Sequence, residues 1–296
     1  MESYELQRAR NAVQIVSGVA IACNLIVVAI FAAKKQLRVK YYGFLFNLVL
    51  TDLAHATLAI VYITEYSPLA SALFRTSFFV TELNVLAVAI NRLIALTILP
   101  PARYDAIVTP LRMLVTCVLF WVVSGAIYIP TTYAVSLPVV TRFIRPLIAL
   151  IILVVTAVLY GVVFGKIAKY RAAQASALTG KDDEKTQTSV EQTTRLIITF
   201  SIILVVSFLC WIPYCTCQFI IYFSGTDWYG QTELFRVVFV YTLAFLMVNS
   251  AVNPFIYWWR IPEFRADWCC CGEGKTVDAH AKPTNMETIV ESTTTM

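Results

Sequence analysis

Asp52 sits in the run Asn47-Leu48-Val49-Leu50-Thr51-Asp52-Leu53. Two amides, a hydroxyl and a proline sit in a second run, Asn249-Ser250-Ala251-Val252-Asn253-Pro254-Phe255-Ile256-Tyr257. Both runs are otherwise apolar enough to lie in hydrocarbon, which offers a stranded polar group no hydrogen-bond partner. A carboxylate at such depth costs ~2.5–3.5 kcal/mol even on lenient insertion scales, so Asp52 is expected to face protein and to be partnered. One reading is a lone acid held neutral in the core. The other is a hydrated cation site that Asp52 shares with Thr81, Asn249, Ser250 and Asn253.

Two more runs carry mechanical rather than covalent chemistry. In Phe208-Leu209-Cys210-Trp211-Ile212-Pro213-Tyr214 the proline removes a backbone hydrogen bond and crowds the preceding turn, bending its helix at a defined place. An indole beside that bend converts a shift in packing into a change of tilt; the plainer reading is a tolerated proline next to a core aromatic. Asn91-Arg92-Leu93 closes another apolar block, where the arginine could also simply snorkel to the interface. Glu82, next to Thr81, is turned one helical step of about 100° away from Asp52. It reads either as a protonated core acid or as a second ion contact. No nucleophile–base–orienter set or metal-ligand cluster stands out, and His55 and His280 fall in different compartments, so an enzyme is not expected.

These residues need elements to hold them. A mean hydropathy of +0.72, with 59% hydrophobic and 14% charged residues, excludes an ordinary soluble composition. The apolar residues fall in seven blocks, about 12–33, 41–64, 69–99, 111–133, 147–167, 195–223 and 235–258. Each reaches or exceeds the roughly 20 helical residues that cross a ~30 Å hydrocarbon core, whereas membrane strands would be half as long and alternating. The expected fold is therefore an all-α membrane protein, a bundle of seven transmembrane helices in the lipid bilayer. The first block is too long for a signal-peptide core and is followed by Lys34, Lys35, Arg38 and Lys40, so it is expected to stay as a span. Seventeen of the 23 Lys and Arg fall on the side of the carboxyl terminus and six on the other. That asymmetry puts the amino terminus outside and the carboxyl terminus in the cytoplasm. The net charge of +5 reflects this orientation, and no nucleic-acid partner is expected. Five of the eight cysteines lie within spans and three follow the last one, so no disulfide framework is expected; no Asn-x-Ser/Thr sequon occurs.

Taken together the runs resemble the rhodopsin-like (class A) G-protein-coupled receptors over residues 12–268. Each span carries a marker in order: Asn24, Asp52, Arg92, Trp121, Tyr160, Cys210-Trp211-Ile212-Pro213, and Asn253-Pro254-Phe255-Ile256-Tyr257. The resemblance implies a plasma-membrane receptor whose ligand biases a two-state bundle. It gives Asp52, Thr81, Asn249, Ser250 and Asn253 to a sodium and water pocket, with Asp52 as the sodium ligand and no other cofactor. Trp211 becomes a toggle beneath the ligand, and Pro213 and Pro254 the bends. Asn91, Arg92, Tyr160 and Tyr257 become the parts that rearrange when a heterotrimeric G protein docks. The implied division is a short extracellular segment at 1–11, the bundle at 12–259, an amphipathic eighth helix with a cysteine cluster at 260–271, and a disordered cytoplasmic tail at 272–296. Phe264 and Trp268, four apart, would lie on the membrane, with Cys269, Cys270 and Cys271 as palmitoylation sites. The Thr-rich tail supplies phosphorylation sites for arrestin.

Several positions depart from the family. The third-span motif begins with Asn91 rather than an acid, and Thr193 stands where many members carry a glutamate that pairs with the arginine. Ser67 replaces the usual outer-loop cysteine, and Ile152 the usual fifth-span proline. Melanocortin, cannabinoid and related lipid receptors share some of these absences. Retinal needs a lysine where this chain has Met247, and monoamines need an aspartate where it has Phe74. The outer helix ends instead supply Phe74, Phe78, Trp211, Tyr214, Gln218 and Tyr241, an aromatic pocket with few charges that suits a neutral or amphipathic small molecule or short peptide from outside the cell. The same aromatics could serve helix packing alone. Two rivals remain at this point: an atypical seven-helix receptor with poor or constitutive coupling, and a small polytopic ion or solute transporter.

Overall fold

The structure is a computed structural model that describes residues 3–34, 37, 42–65, 67–97, 107–133, 139–176, 184–225, 230–261 and 264. Seven helices long and apolar enough to cross a membrane stand among them. They are α1 (Tyr4–Ala33), α2 (Gly43–Glu65), α3 (Pro68–Thr97), α4 (Pro110–Tyr133), α5 (Arg145–Ser176), α6 (Glu184–Phe223) and α7 (Glu233–Arg260).

Local chemistry sets their ends. Ser3 caps α1 by accepting from the Leu6 N–H at 3.3 Å, and Thr232 caps α7 by accepting from the Phe235 N–H at 3.3 Å. Ser67 and Thr109 do the same for α3 and α4, each followed by a proline whose missing N–H loses nothing in the first turn. A π-helical turn, Val139–Ile144, leads into α5 and gives way to α-helix at Arg145-Pro146. Pro146 has no N–H to donate backward, so the change of hydrogen-bond register falls there. Gly225, at φ 64°, takes the left-handed conformation that ends α6.

Three helices run beyond the expected spans. α1 begins at Tyr4 rather than near residue 12, α5 continues to Ser176, and α6 starts at Glu184. The added turns are polar, and a helix already nucleated in the bilayer extends into water at little cost when its next residues are good helix formers such as Glu, Lys and Gln. Of the expected eighth helix at 260–271 only three residues are described: Arg260 ends α7, Ile261 follows it, and Phe264 is buried with its ring edge-on to Phe31 at 5.5 Å rather than laid on the membrane. Trp268, Cys269, Cys270 and Cys271 and the tail beyond them lie outside the described residues.

α1 packs along α7 and α2, while α3 runs through the centre and touches α2, α4, α5 and α6. α3 is the most enclosed of the seven and α4 the least. Leu111, Leu114, Val118, Leu119 and Val122 on α4 face outward, as an apolar solvent allows. Several threonine hydroxyls in the spans are satisfied within their own helix: Thr51, Thr156 and Thr199 each donate to the carbonyl four residues earlier at 2.7–2.8 Å.

Candidate functional site

The interior polar residues meet at two levels. At the first, Asp52 on α2 is wholly buried and accepts from α7 twice: Ser250 Oγ donates to Oδ1 at 2.9 Å, and Asn253 Nδ2 to Oδ2 at 2.8 Å. Ser250 and Asn253 are three apart, hence on one face of α7, and Asn253 immediately precedes the proline that interrupts that helix. Asn24 on α1 ties in from the other side, donating Nδ2 to the Ala20 carbonyl at 2.9 Å and to the Ser250 carbonyl at 3.0 Å. Ser207 on α6 donates to Asn249 Oδ1 at 3.0 Å. On α3, Asn84 donates to Thr51 Oγ1 at 3.0 Å and accepts from Asn47. Five helices are thus joined to a neighbour through buried amides, hydroxyls and one carboxylate.

Thr81 does not join Asp52. Its hydroxyl donates back to the Ser77 carbonyl at 3.2 Å, as threonines in helices tend to do. The Oδ1 atoms of Asn24 and Asn253 are buried without a hydrogen-bond partner. A carboxylate beside a free amide oxygen suits a hard cation. No group of three or more His, Cys, Asp or Glu side chains suited to a metal occurs among the described residues.

Below this level, Arg92 is 2% exposed and Asn91 4%. The Tyr160 and Tyr257 hydroxyls are buried without hydrogen-bond partners. Asn91 also lines a groove shared with Arg112 and Met113 of α4.

The second level lies above Trp211. Trp211 is 1% exposed, and Phe78 meets it edge-on at 5.0 Å and Tyr214 at 6.0 Å. Gln218 donates to the Tyr214 hydroxyl at 3.0 Å, holding two of the expected pocket residues together. Phe78, Tyr214 and Gln218 line one cavity. Phe74 does not line it: the ring is buried in a stack between His55 at 4.7 Å and Tyr62 at 5.0 Å. Tyr241 is 40% exposed and lines a separate outward groove with Val16, Pro213 and Phe245. Aromatic type and depth gave no means of telling a cavity wall from a packed or outward ring.

The cavity also holds charges, Arg75 among them. Glu82 and Arg145 line it, with Tyr128 and Thr141. Glu82 lies four residues after Phe78, so its place on the same face of α3 was available from spacing. Arg145 follows the π-helical turn, whose extra residue per turn no periodicity in the sequence announces.

The five described cysteines, Cys23, Cys117, Cys210, Cys215 and Cys217, are free thiols. The family model for the 7 transmembrane receptor (rhodopsin family) matches residues 23–257. Among curated proteins, the Tachykinin-like peptides receptor 86C of Drosophila melanogaster is 25% identical over 300 aligned positions, covering 87% of this chain and 58% of its own length. Melanocortin receptor 4 of Danio rerio is 26% identical over 275, covering 85% and 80%. Melanocortin receptor 3 of Homo sapiens is 27% identical over 185, covering 62% and 54%. The chain thus spans little more than half the length of the fly and human relatives. The family match takes in α2, α3, α4, α5 and α6 whole and both polar levels, and the chain belongs to the rhodopsin family of seven-transmembrane receptors.

Proposed function

We propose that this chain is a plasma-membrane receptor that takes an extracellular small molecule or peptide between its outer helix ends and promotes nucleotide exchange on a heterotrimeric G protein at its inner face. Its amino terminus lies outside and its carboxyl terminus inside. Phe78, Trp211, Tyr214 and Gln218 receive the ligand. Asp52, Asn249, Ser250 and Asn253 hold waters and a sodium ion, and Arg92, Tyr160, Tyr257, Pro213 and Pro254 carry the change to the G protein, with arrestin as a later partner. Relatives named for tachykinin-like peptides and melanocortins favour a peptide as the ligand class.

The observation that carries this reading is the joint of Asp52 with Ser250 and Asn253. It links α2 to α7 at the residue before Pro254, where α7 has lost a backbone hydrogen bond and can pivot. A ligand that alters the tilt of α6 or α7 has a two-state element to bias, and it can bias it only by binding the two states differently. The test is purified protein in liposomes with an added G protein. Accelerated nucleotide exchange supports the receptor; solute flux without exchange supports a transporter instead.

A further inference from the structure

Glu82 is 1% exposed, and neither carboxylate oxygen has a hydrogen-bond partner. The only ion pair among the described residues is Arg8–Glu5, so no described Lys or Arg nitrogen stands within 4.0 Å of Glu82. Arg145 lines the same cavity. Its Nη2 donates to Thr131 Oγ1 at 2.6 Å and its guanidinium lies over the Tyr128 ring at 4.5 Å, while Nε and Nη1 are buried and unpartnered. Arg75 is a third charge on the wall. The cavity has ≈ 370 Å³ of empty space counted with its mouth, of which ≈ 30 Å³ admits the centre of a water-sized molecule. Its narrow part holds about two waters, or a ligand end of a few heavy atoms.

A buried carboxyl and a buried guanidinium on one enclosed wall are each costly in the ionised form unless something pairs with it. A lone ammonium would satisfy Glu82 and be repelled by two guanidiniums. A lone carboxylate would satisfy Arg145 and be repelled by Glu82. Only a group with both signs matches the wall throughout.

We propose that Glu82 and the Arg145–Arg75 pair form a subsite for a compact zwitterionic ligand end, its ammonium on Glu82 and its carboxylate on Arg145, with the ligand body against Phe78 and Tyr214. This rests on the receptor reading and adds the chemical class of the ligand. The same chemistry comes from a free amino acid or from a peptide ending in lysine.

The test uses full-length protein in nanodiscs, titrated with four probes while its thermal midpoint is followed. L-phenylalanine and N-acetyl-Phe-Lys with a free carboxylate are the two zwitterionic ends; phenethylamine and 3-phenylpropionate each lack one charge. Loss of either charge weakens binding about tenfold or more, as expected when a buried charge is left unpaired. E82Q removes the preference for a zwitterion over 3-phenylpropionate, and R145Q removes the preference over phenethylamine, a charge-by-charge exchange that a merely structural role does not produce. Whichever zwitterion binds more tightly identifies the source. Equal binding by single-charge probes overturns the proposal, and so does failure of both zwitterions to shift the wild-type protein. G-protein nucleotide exchange is read on the same samples. Exchange without zwitterion binding overturns only the subsite, and binding without exchange overturns only the receptor reading.

Discussion

Replacing Asp52 separates its structural part from its ionic part. In Asp52→Ala the Ser250 hydroxyl and the Asn253 amide both lose their acceptor in a site sealed from solvent. Each stranded donor costs about 1–3 kcal/mol, so the variant loses roughly 2–6 kcal/mol. Asp52→Asn keeps the shape and rearranges the bonding: its carbonyl accepts from Asn253, and its amide donates to the Ser250 oxygen, since a serine hydroxyl both donates and accepts. The loss is then at most about 1 kcal/mol. At roughly 2–4 °C per kcal/mol, the thermal midpoint of the alanine variant falls several degrees or more and that of the asparagine variant barely moves. Both variants remove the negative charge. Any rise in midpoint on exchanging N-methylglucamine chloride for sodium chloride is therefore present in the wild type and absent from both. Thermal melts of nanodisc samples in the two salts measure both effects. Equal destabilisation by alanine and asparagine would refute the hydrogen-bond account, and a sodium effect that survives in Asp52→Asn would refute the ionic one.

Asn24→Ala leaves the Ser250 carbonyl without its donor from α1 and is expected to destabilise by about 1–2 kcal/mol in the same melts; no loss would show that the α1–α7 link is incidental. The Phe78 and Trp211 rings, 5.0 Å apart, are expected to couple by ~0.5–1.5 kcal/mol in a double-mutant cycle of Phe78→Leu and Trp211→Phe, with simple additivity as the contrary result. Asn91→Asp places an acid next to Arg92 and is expected to lower ligand-free nucleotide exchange about fivefold, the equivalent of ~1 kcal/mol of added restraint on the inactive state. Unchanged basal exchange would show that an acid at this position does not restrain the inactive state.

The seven helices were legible because each apolar block is long enough to cross a membrane and none alternates. What the blocks could not show was where helix stops when polarity resumes: Tyr4–Asn11, the turn that ends at Ser176 and the turn that starts at Glu184 are polar yet helical. Asp52, Ser250 and Asn253 could be grouped from sequence because stranded polar groups in hydrocarbon must find one another. Thr81 failed to join them because a threonine can satisfy its hydroxyl on its own helix. Asn84 and Ser207 carried the same signal as Asn249, a polar side chain deep in a span, and take part in the same kind of buried contact. The cavity above Trp211 was the least legible. Whether an aromatic ring lines space, stacks on a neighbour or faces lipid depends on helix rotation, and the π-helical turn before Arg145 resets that rotation for α5. That turn carries Arg145 to the wall it shares with Glu82.

Movement of α6 relative to the rest of the bundle is the most direct test of a ligand-biased switch. Spin labels at A33C, at the end of α1, and R195C, on α6, occupy exposed positions once the native cysteines are replaced. Pulsed electron spin resonance should give one main distance for the receptor alone and a second, longer one when a nucleotide-free G protein is added. A single distance that ignores the G protein, in protein shown to bind it, would contradict the account.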